Sequence, residues 1–149
     1  SKEGAVDTYQ TINDVLVRLF REIMDQEQKA IITEQFRDIT NNDMHIIEAI
    51  GIEEPRNMSS VAKSLSVTVG TLTIAVNALV KKGYVDRVRS EADRRVVLLS
   101  LTEKGEKAYY HHEKFHRDMV DAVIGLLSPE EQVVLAKALT NLSEFFRKF

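Results

Sequence analysis

The stretch that decides the fold is residues 58–101, which read MSSVAKSLSVTVGTLTIAVNALVKKGYVDRVRSEADRRVVLLSL. It begins with two short helical patterns, over residues 58–65 and about 69–82, separated by a tight connection at Ser66. Thr68 is placed to cap the second helix and Gly83 to end it. Two short helices joined by so brief a turn are typical of a helix-turn-helix motif. The positions predicted to face its core are Val61, Ala62, Leu65, Val67, Leu72, Val76 and Leu79.

The hydrophobic period changes from 3.6 to 2 directly after this motif. Residues 84–89 alternate apolar and charged side chains, and residues 95–101 do so more loosely. The polar stretch 90–94 between them favours a turn. This pattern predicts a β-hairpin, and a hairpin that follows a helix-turn-helix is a wing.

Charge is distributed unevenly along the 149 residues. The whole chain carries a formal net charge of -3, which argues against a polyanionic partner. Residues 58–107, however, hold nine Lys and Arg against five Asp and Glu, a net charge of +4, so the remainder carries −7. A basic middle between acidic ends points to nucleic acid as the partner of the middle segment.

The outward positions of the helix-turn-helix and the wing carry groups that suit DNA. Threonine hydroxyls bond phosphates or base edges, and their methyls pack against thymine. A glycine lets the backbone approach the duplex, and arginines at a hairpin tip fit a narrow minor groove. No arginine lies on the second helix for guanine, which predicts an A·T-rich site. The predicted DNA-binding residues are Ser59, Ser60, Thr68, Gly70, Thr71, Thr73, Asn77, Lys81, Arg87, Arg89, Asp93, Arg94 and Arg95.

Amphipathic helices flank this segment on both sides. Apolar residues recur at spacings of three and four near the start, from Tyr9 to Ile23, and near the end, from Leu135 to Phe149. Thr40 and Gly51 bound a short helix, Pro55 and Asn57 mark a loop, and Thr102 and Ser128 begin the last two helices. The chain has too little else to cover both terminal stripes, so we expect a twofold homodimer and an inverted-repeat DNA site.

The predicted fold class is therefore mainly α: a winged helix-turn-helix of about six helices plus a β-hairpin wing. We expect a single domain over residues 1–149. Residues 6–30 and 103–149 would supply the dimerisation helices, and residues 40–102 the DNA-binding lobe.

Other classes of protein find little support in the residues. The chain has no cysteine, which removes disulfides and thiol chemistry. It has no apolar run long enough for a bilayer and no secretory signal, so we expect a soluble, cytoplasmic protein without a membrane partner. No base lies beside a candidate nucleophile, so we expect no enzyme. His112 and His116 are interpreted as surface or interface histidines rather than metal ligands, and His45 as a half-buried structural residue.

The chain resembles the MarR family of winged-helix regulators. The resemblance is carried by residues 65–68, 70–73, 79–85, 93–95 and 99–105. It implies a triangular homodimer with an effector pocket between the dimerisation helices and the DNA-binding lobes. It also implies that Thr71, Thr73 and Asn77 face the major groove, that Arg94 or Arg95 enters the minor groove, and that Asp93 braces the tip.

A narrower resemblance is to the fatty-acid-synthesis repressors of that family, over residues 36–39, 44–45, 67–73, 87–91, 115–116 and 139–142. It implies no cofactor but a regulatory ligand: long-chain acyl-acyl carrier protein acting as corepressor. An apolar tunnel for the acyl chain is compatible with the sequence, although the same stripe fits plain core. Its candidate lining residues are Phe20, Ile23, Phe36, Met44, Ile47, Phe115 and Met119.

Two other functions remain open at this point. One is a MarR-type repressor of efflux or stress genes that a small aromatic or drug-like ligand releases from DNA. The other is a winged-helix module that binds protein. The absence of cysteine excludes the thiol-oxidation switch known in the family and leaves ligand binding as the expected control.

Overall fold

A computed structural model describes residues 2–31 and 35–149, which are mainly helical with one small antiparallel sheet. The helices are α1 (Lys2–Asp14), α2 (Phe20–Ile31), α3 (Asn41–Ile50), α4 (Met58–Ser64), α5 (Val69–Lys82), α6 (Glu103–Gly125) and α7 (Pro129–Arg147). A π-helical turn, Val15–Leu19, joins α1 to α2 without a break. The strands are β1 (Arg56–Asn57), β2 (Val85–Arg89) and β3 (Val97–Leu101). With α1 and α2 continuous, this is the predicted winged helix-turn-helix with about six helices.

The helices begin and end at the capping residues that the sequence predicts. Thr40 Oγ1 accepts from the backbone nitrogen of Asp43 at 3.0 Å, and the Asp43 carboxylate accepts from that of Thr40 at 3.1 Å. Ser128 makes the same reciprocal box at the start of α7. Gly83 ends α5 with a φ of 89°, in the left-handed region that favours glycine.

The sheet has one more strand than the predicted hairpin. Its order is β1-β3-β2, and the Cα partners on β3 are Leu99 for Arg56 and Leu98 for Asn57. The prediction that Asn57 lies in a loop is therefore wrong. Two residues are too few to show an alternating pattern in the sequence. This strand forms because β3 has a free edge with which it can pair.

The chain separates into two compact units, Ser1–His112 and Glu113–Phe149. The first contains a core built from α3, α4, α5, the sheet and the start of α6, with Ile47, Val61 and Leu99 fully buried. Five of the seven predicted core positions of the helix-turn-helix are buried, and Leu65 is half-buried. Val67 is 40% exposed, so that prediction is wrong. Val67 lies outside both helices, after a left-handed Ser66 (φ 56°), and the turn directs it away from the core.

Gly105 fixes how closely the first turn of α6 lies on the winged-helix core. A Cβ at this position would stand 2.1 Å from the carbonyl oxygen of Tyr84. The same turn begins at Thr102, whose hydroxyl donates to the carbonyl of Gly83 at 2.6 Å and accepts from the Gly105 nitrogen. The segment that follows α5 and the start of α6 are therefore joined by a close backbone approach and by the Thr102 hydroxyl.

The second unit consists of the end of α6 together with α7. None of the residues of α7 is buried. Its exposed large apolar side chains are Val133, Val134, Leu135, Leu139, Leu142, Phe145 and Phe146. In the first unit, the helix from α1 to α2 is likewise exposed along Ile12, Leu16 and Leu19.

No single helix of the described residues is long and apolar enough to cross a membrane. Taken together, α4 and α5 have the length and composition of a membrane span, but they are bent by 106° relative to each other.

Candidate DNA-binding surface

The angle between α4 and α5 is typical of helix-turn-helix motifs, in which the second helix lies in the major groove of DNA. α4 and α5 meet at 106°, within the range of about 90–120° typical of this motif. The chain turns between them through hydrogen bonds from the nitrogens of Ser66 and Val67 to the carbonyls of Lys63 and Ala62. Thr68 caps α5, its hydroxyl oxygen accepting from the Thr71 nitrogen at 3.1 Å. Thr68 is therefore the predicted cap of α5, and its contact with DNA stays a prediction.

α5 presents one face to the core and the other to solvent. Thr71, Asn77 and Lys81 are exposed on the outer face, with Ile74 75% exposed among them. An exposed isoleucine and threonine methyls are suitable partners for thymine methyl groups. Gly70 is exposed at the start of this face, and the nearest atom to an added Cβ would be Thr68 Oγ1 at 4.0 Å.

The wing is directly joined to this helix. The guanidinium of Arg87 on β2 donates through Nη1 to Oδ1 of Asn77. Arg89, two residues further on the same strand, instead donates to the carbonyl of Arg94 at 2.9 Å. Both arginines are exposed. The predicted phosphate contacts Arg87 and Arg89 therefore lie on one side of the wing but have different partners.

The tip of the wing is braced by Asp93, as predicted. Its carboxylate accepts from Arg95 Nε and Nη2, each at 3.0 Å, and from the Arg95 backbone nitrogen at 3.1 Å. The hydrogen bonds from Arg95 lower the pKa of the Asp93 carboxyl. Arg94 is exposed, and no described residue accepts a hydrogen bond from its guanidinium. Arg94 is therefore the tip arginine free to enter a minor groove.

A groove of about 780 Å³ separates the start of α5 from the wing. Its lining includes Ser59 and Thr73 from the helices and Arg87, Arg89 and Arg95 from the wing. A recognition helix in the major groove and a wing in the minor groove leave one phosphodiester strand between them. The position and cationic lining of the groove suit that strand.

Sequence reasoning missed the two residues immediately before α4, the helix whose first residues line this groove. Asn57 lines it and caps α4, its Oδ1 accepting from the Ser60 nitrogen at 2.7 Å. Arg56 donates to the carbonyl of Ala49 and, at 2.9 Å, to the hydroxyl of Ser60. Ser60 is therefore half-buried and held by Arg56, whereas Ser59 is exposed. An asparagine three residues before Ser60 was the available signal for the cap.

The end of α5 is held by a polar cluster outside the groove. Lys82 Nζ donates to the carbonyl of Asp38 at 2.7 Å and pairs with Asp43 at 3.1 Å. The buried Tyr84 donates its hydroxyl to Asp38 at 2.6 Å. This hydrogen bond lowers the pKa of the Asp38 carboxyl, and burial raises the pKa of Tyr84. Of the adjacent lysines Lys81 and Lys82, Lys81 is exposed, so it is the one that can reach a phosphate.

The predicted effector residues occupy different surroundings. Phe36, Met44 and Ile47 belong to the core of the first unit. Ile23 is half-buried and Phe20 is 52% exposed on the N-terminal helix. Phe115 and Met119 are half-buried in the second unit. The assignment of these residues to a ligand pocket stays a prediction.

The exposure of two histidines, His112 and His45, differs from what the sequence predicts. His112 is only 2% exposed, so of its two interpretations, as a surface or as an interface histidine, the first is wrong. Its Nε2 lies 2.5 Å from Glu48 Oε1 and 3.3 Å from Glu27 Oε1, which joins α6 to α3 and α2. His45 is exposed rather than half-buried, because the buried face of α3 runs through its neighbours Met44 and Ile46.

The helix-turn-helix, the braced wing and the cationic groove between them define a DNA-binding transcriptional regulator of the winged-helix class. The chain belongs to the SarA/Rot family of transcriptional regulators, whose model matches residues 27–111.

Individual relatives agree with this family. The HTH-type transcriptional regulator PchR of Bacillus subtilis (strain 168) is 26% identical, over 91% of this chain and 88% of that protein. FabT of Streptococcus pneumoniae, solved in complex with DNA, is 43% identical with a TM-score of 0.87, over 94% of this chain and 98% of that one. A MarR family transcription regulator shares the fold at 15% identity, with a TM-score of 0.79 over 99% and 95% of the two chains. The resemblance to MarR-type regulators is confirmed.

Proposed function

We propose that this protein is a homodimeric repressor that binds an A·T-rich inverted repeat and controls genes of fatty-acid synthesis, with long-chain acyl-acyl carrier protein as its corepressor. The observation that carries the proposal is the 43% identity with FabT over nearly the whole of both chains. The residues behind the narrower resemblance include both the recognition helix and segments outside it, so the likeness is not limited to the DNA-binding surface.

The exposed apolar helices support the dimer. The terminal helices of each unit carry continuous apolar faces, among them Leu16, Leu139 and Phe146. Such faces are costly in water and are covered in a homodimer by the same surface of a second copy. Two copies of α5 then meet successive major grooves about 34 Å apart.

The chemistry of α5 supports an A·T-rich site. Its outer face offers hydroxyls, methyl groups and one amide but no guanidinium, so direct guanine recognition by an α5 arginine is absent from the described residues. Arg94 at the tip suits the narrow minor groove that A·T steps produce.

Operator affinity measured by fluorescence anisotropy tests the proposal. The assay uses duplexes from the upstream regions of fatty-acid-synthesis genes, with and without acyl carrier protein bearing a long acyl chain. We expect tighter binding with the acylated carrier and no change with the unacylated carrier, which is the matched control. Weaker binding would favour a repressor released by its ligand. No duplex binding at low salt would favour a module that binds protein.

A further inference from the structure

The contact between Arg87 and Asn77 joins the wing to the outer face of the recognition helix. Arg87 lies on β2, and Asn77 lies on the exposed face of α5, more than two turns from the capping residue Thr68. Both side chains are exposed, so neither is required to fill the core. Their hydrogen bond is therefore a contact within the surface that meets DNA.

The hydrogen bond defines which way the amide of Asn77 faces. An arginine guanidinium carries only donors, whereas an amide has one acceptor oxygen and two donor hydrogens. Arg87 Nη1 donates to Oδ1 of Asn77. Turning the amide by 180° would set its NH₂ group against the guanidinium, and two donors would then face each other. The amide is consequently held with its oxygen toward the wing and its NH₂ group turned away from Arg87.

Neighbouring groups on α5 are fixed in a similar manner. The hydroxyl of Thr73 donates to the carbonyl of Val69 at 2.7 Å, so toward DNA it offers an acceptor. The hydroxyl of Thr68 donates to Thr71 Oγ1 at 2.9 Å. A base pair in the major groove is distinguished by its order of donors and acceptors. A side chain with fixed polarity therefore discriminates among bases more strongly than one that can turn to present either a donor or an acceptor.

We propose that Arg87 is a positioning residue for sequence recognition: by fixing the amide of Asn77 it gives the protein its base preference at the position that Asn77 contacts. Arg87 then contributes more than the positive charge of a phosphate contact. The inference rests on the proposed DNA-binding function and adds to it a determinant of specificity.

Arg89 provides a matched control. It lies on the same strand two residues later, is exposed, lines the same groove and carries the same charge. Its partner is the carbonyl of Arg94 within the wing, at 2.9 Å, and not a group on α5. Arg87→Met and Arg89→Met therefore remove the same charge and keep a similar apolar stem, but only the first releases Asn77.

The test is selection of binding sites from a randomised duplex library by the purified full chain. For the unchanged protein we expect one base pair in each half-site to show a preference of about fivefold or more that Asn77→Ala abolishes. In Arg87→Met the preference at that base pair falls below about twofold. In Arg89→Met the preference is retained while affinity for all sequences decreases.

The combined variant separates positioning from direct reading by Arg87. If Arg87 acts through Asn77, Arg87→Met with Asn77→Ala gives the same base profile as either change alone. Asn77→Asp gives a second check, because aspartate accepts from Arg87 but has no NH₂ group, and it loses the same preference.

The outcomes distinguish the two proposals. If the unchanged protein selects no sequence, the proposed function fails. If it selects a site and Arg87→Met retains every base preference, the positioning role is overturned while DNA binding stands. An additive effect in the combined variant also overturns it, because Arg87 would then read DNA independently of Asn77.

Discussion

The two adjacent arginines at the tip of the wing have different surroundings, and this difference assigns them different tasks. Arg95 is engaged by Asp93 through both its side chain and its backbone nitrogen. Within the described residues, Arg94 is held in the wing through its backbone carbonyl, which accepts from Arg89. A guanidinium already paired with a carboxylate neutralises less phosphate charge than one that is not.

Arg94→Ala should therefore weaken binding more than Arg95→Ala. We expect the slope of log affinity against log salt to fall by about one in Arg94→Ala, because one phosphate or minor-groove contact is lost. Arg95→Ala should change the slope less, because the Arg95 guanidinium is already paired with the Asp93 carboxylate and neutralises less phosphate charge. A salt titration of both variants on one duplex measures this, and equal slopes would contradict the assignment.

Tyr84 and Asp38 give a prediction at the same scale for acid stability. The hydrogen bond from Tyr84 lowers the pKa of Asp38, so it stabilises the fold above the ordinary aspartate value of about 3.9. That contribution is lost as the pH falls through the lowered pKa. Tyr84→Phe should cost about 0.5–1 kcal/mol near pH 7, a modest amount because Asp38 is exposed, and the difference should shrink below about pH 4.

Denaturant unfolding at pH 7, 5 and 3.5 measures the effect of Tyr84→Phe. Tyr110→Phe is the control, because Tyr110 is 52% exposed and its removal deletes a hydroxyl on the surface of α6. The role of the Asp38 hydrogen bond is refuted if the stability difference between Tyr84→Phe and the unchanged chain is the same at all three pH values.

At the scale of elements, the close contact between α6 and Tyr84, two residues after the end of α5, depends on a missing side chain. Gly105→Ala places a Cβ 2.1 Å from the Tyr84 carbonyl oxygen, which is backbone and cannot move independently. We expect a loss of about 1–3 kcal/mol in the free energy of unfolding. Gly125→Ala, on the same helix with nothing within 4 Å, should be neutral or slightly stabilising. Thermal unfolding of both compares them, and similar melting temperatures would disprove the close contact.

The elements also show which structural features can be predicted from the sequence and which cannot. Caps such as Thr40 and Ser128 are local, because the donor and acceptor lie three residues apart, and they were predicted correctly. Strand β1 and the contact between Arg56 and Ser60 depend on how distant segments meet, and no local pattern reports that. His112 looks polar in sequence, yet it is buried, with the partly exposed Glu27 and Glu48 beside it from two other helices.

In the candidate site, too, local features could be predicted from the sequence, whereas contacts between distant residues could not. Which residues of α5 and the wing face outward is a matter of helical and strand periodicity, so it could be read from the sequence. Which of them pair with one another could not: the partners of Arg87 and Lys82 lie 10 and 39 residues away. Those pairings decide which side chains remain for DNA, and only the folded chain sets them.

At the scale of the whole molecule, the proposed dimer makes a direct prediction. Leu139→Glu with Phe146→Glu puts two charges on the apolar face of α7, where these side chains are 50% and 59% exposed. We expect a shift from dimer to monomer in sedimentation velocity, because a charge buried at an interface without a partner is strongly unfavourable.

Lys137→Glu is the control for this change, since it adds the same carboxylate to α7 at a position that is already polar. It should leave the sedimentation coefficient unchanged. A monomeric unchanged protein, or a double variant that sediments as the unchanged protein does, would exclude α7 as the dimer surface. Because one α5 can reach only half of an inverted repeat, loss of the dimer should also abolish tight operator binding.

Strand β1 has a mechanical consequence. It consists of the two residues immediately before α4, and it pairs with β3, which is one strand of the wing. We therefore expect a displacement of the wing to move the start of α4 with it, because β1 and α4 are consecutive in the chain. If the proposed corepressor acts by moving α4 and the wing together, we expect its effect to fall on both grooves of the DNA at once.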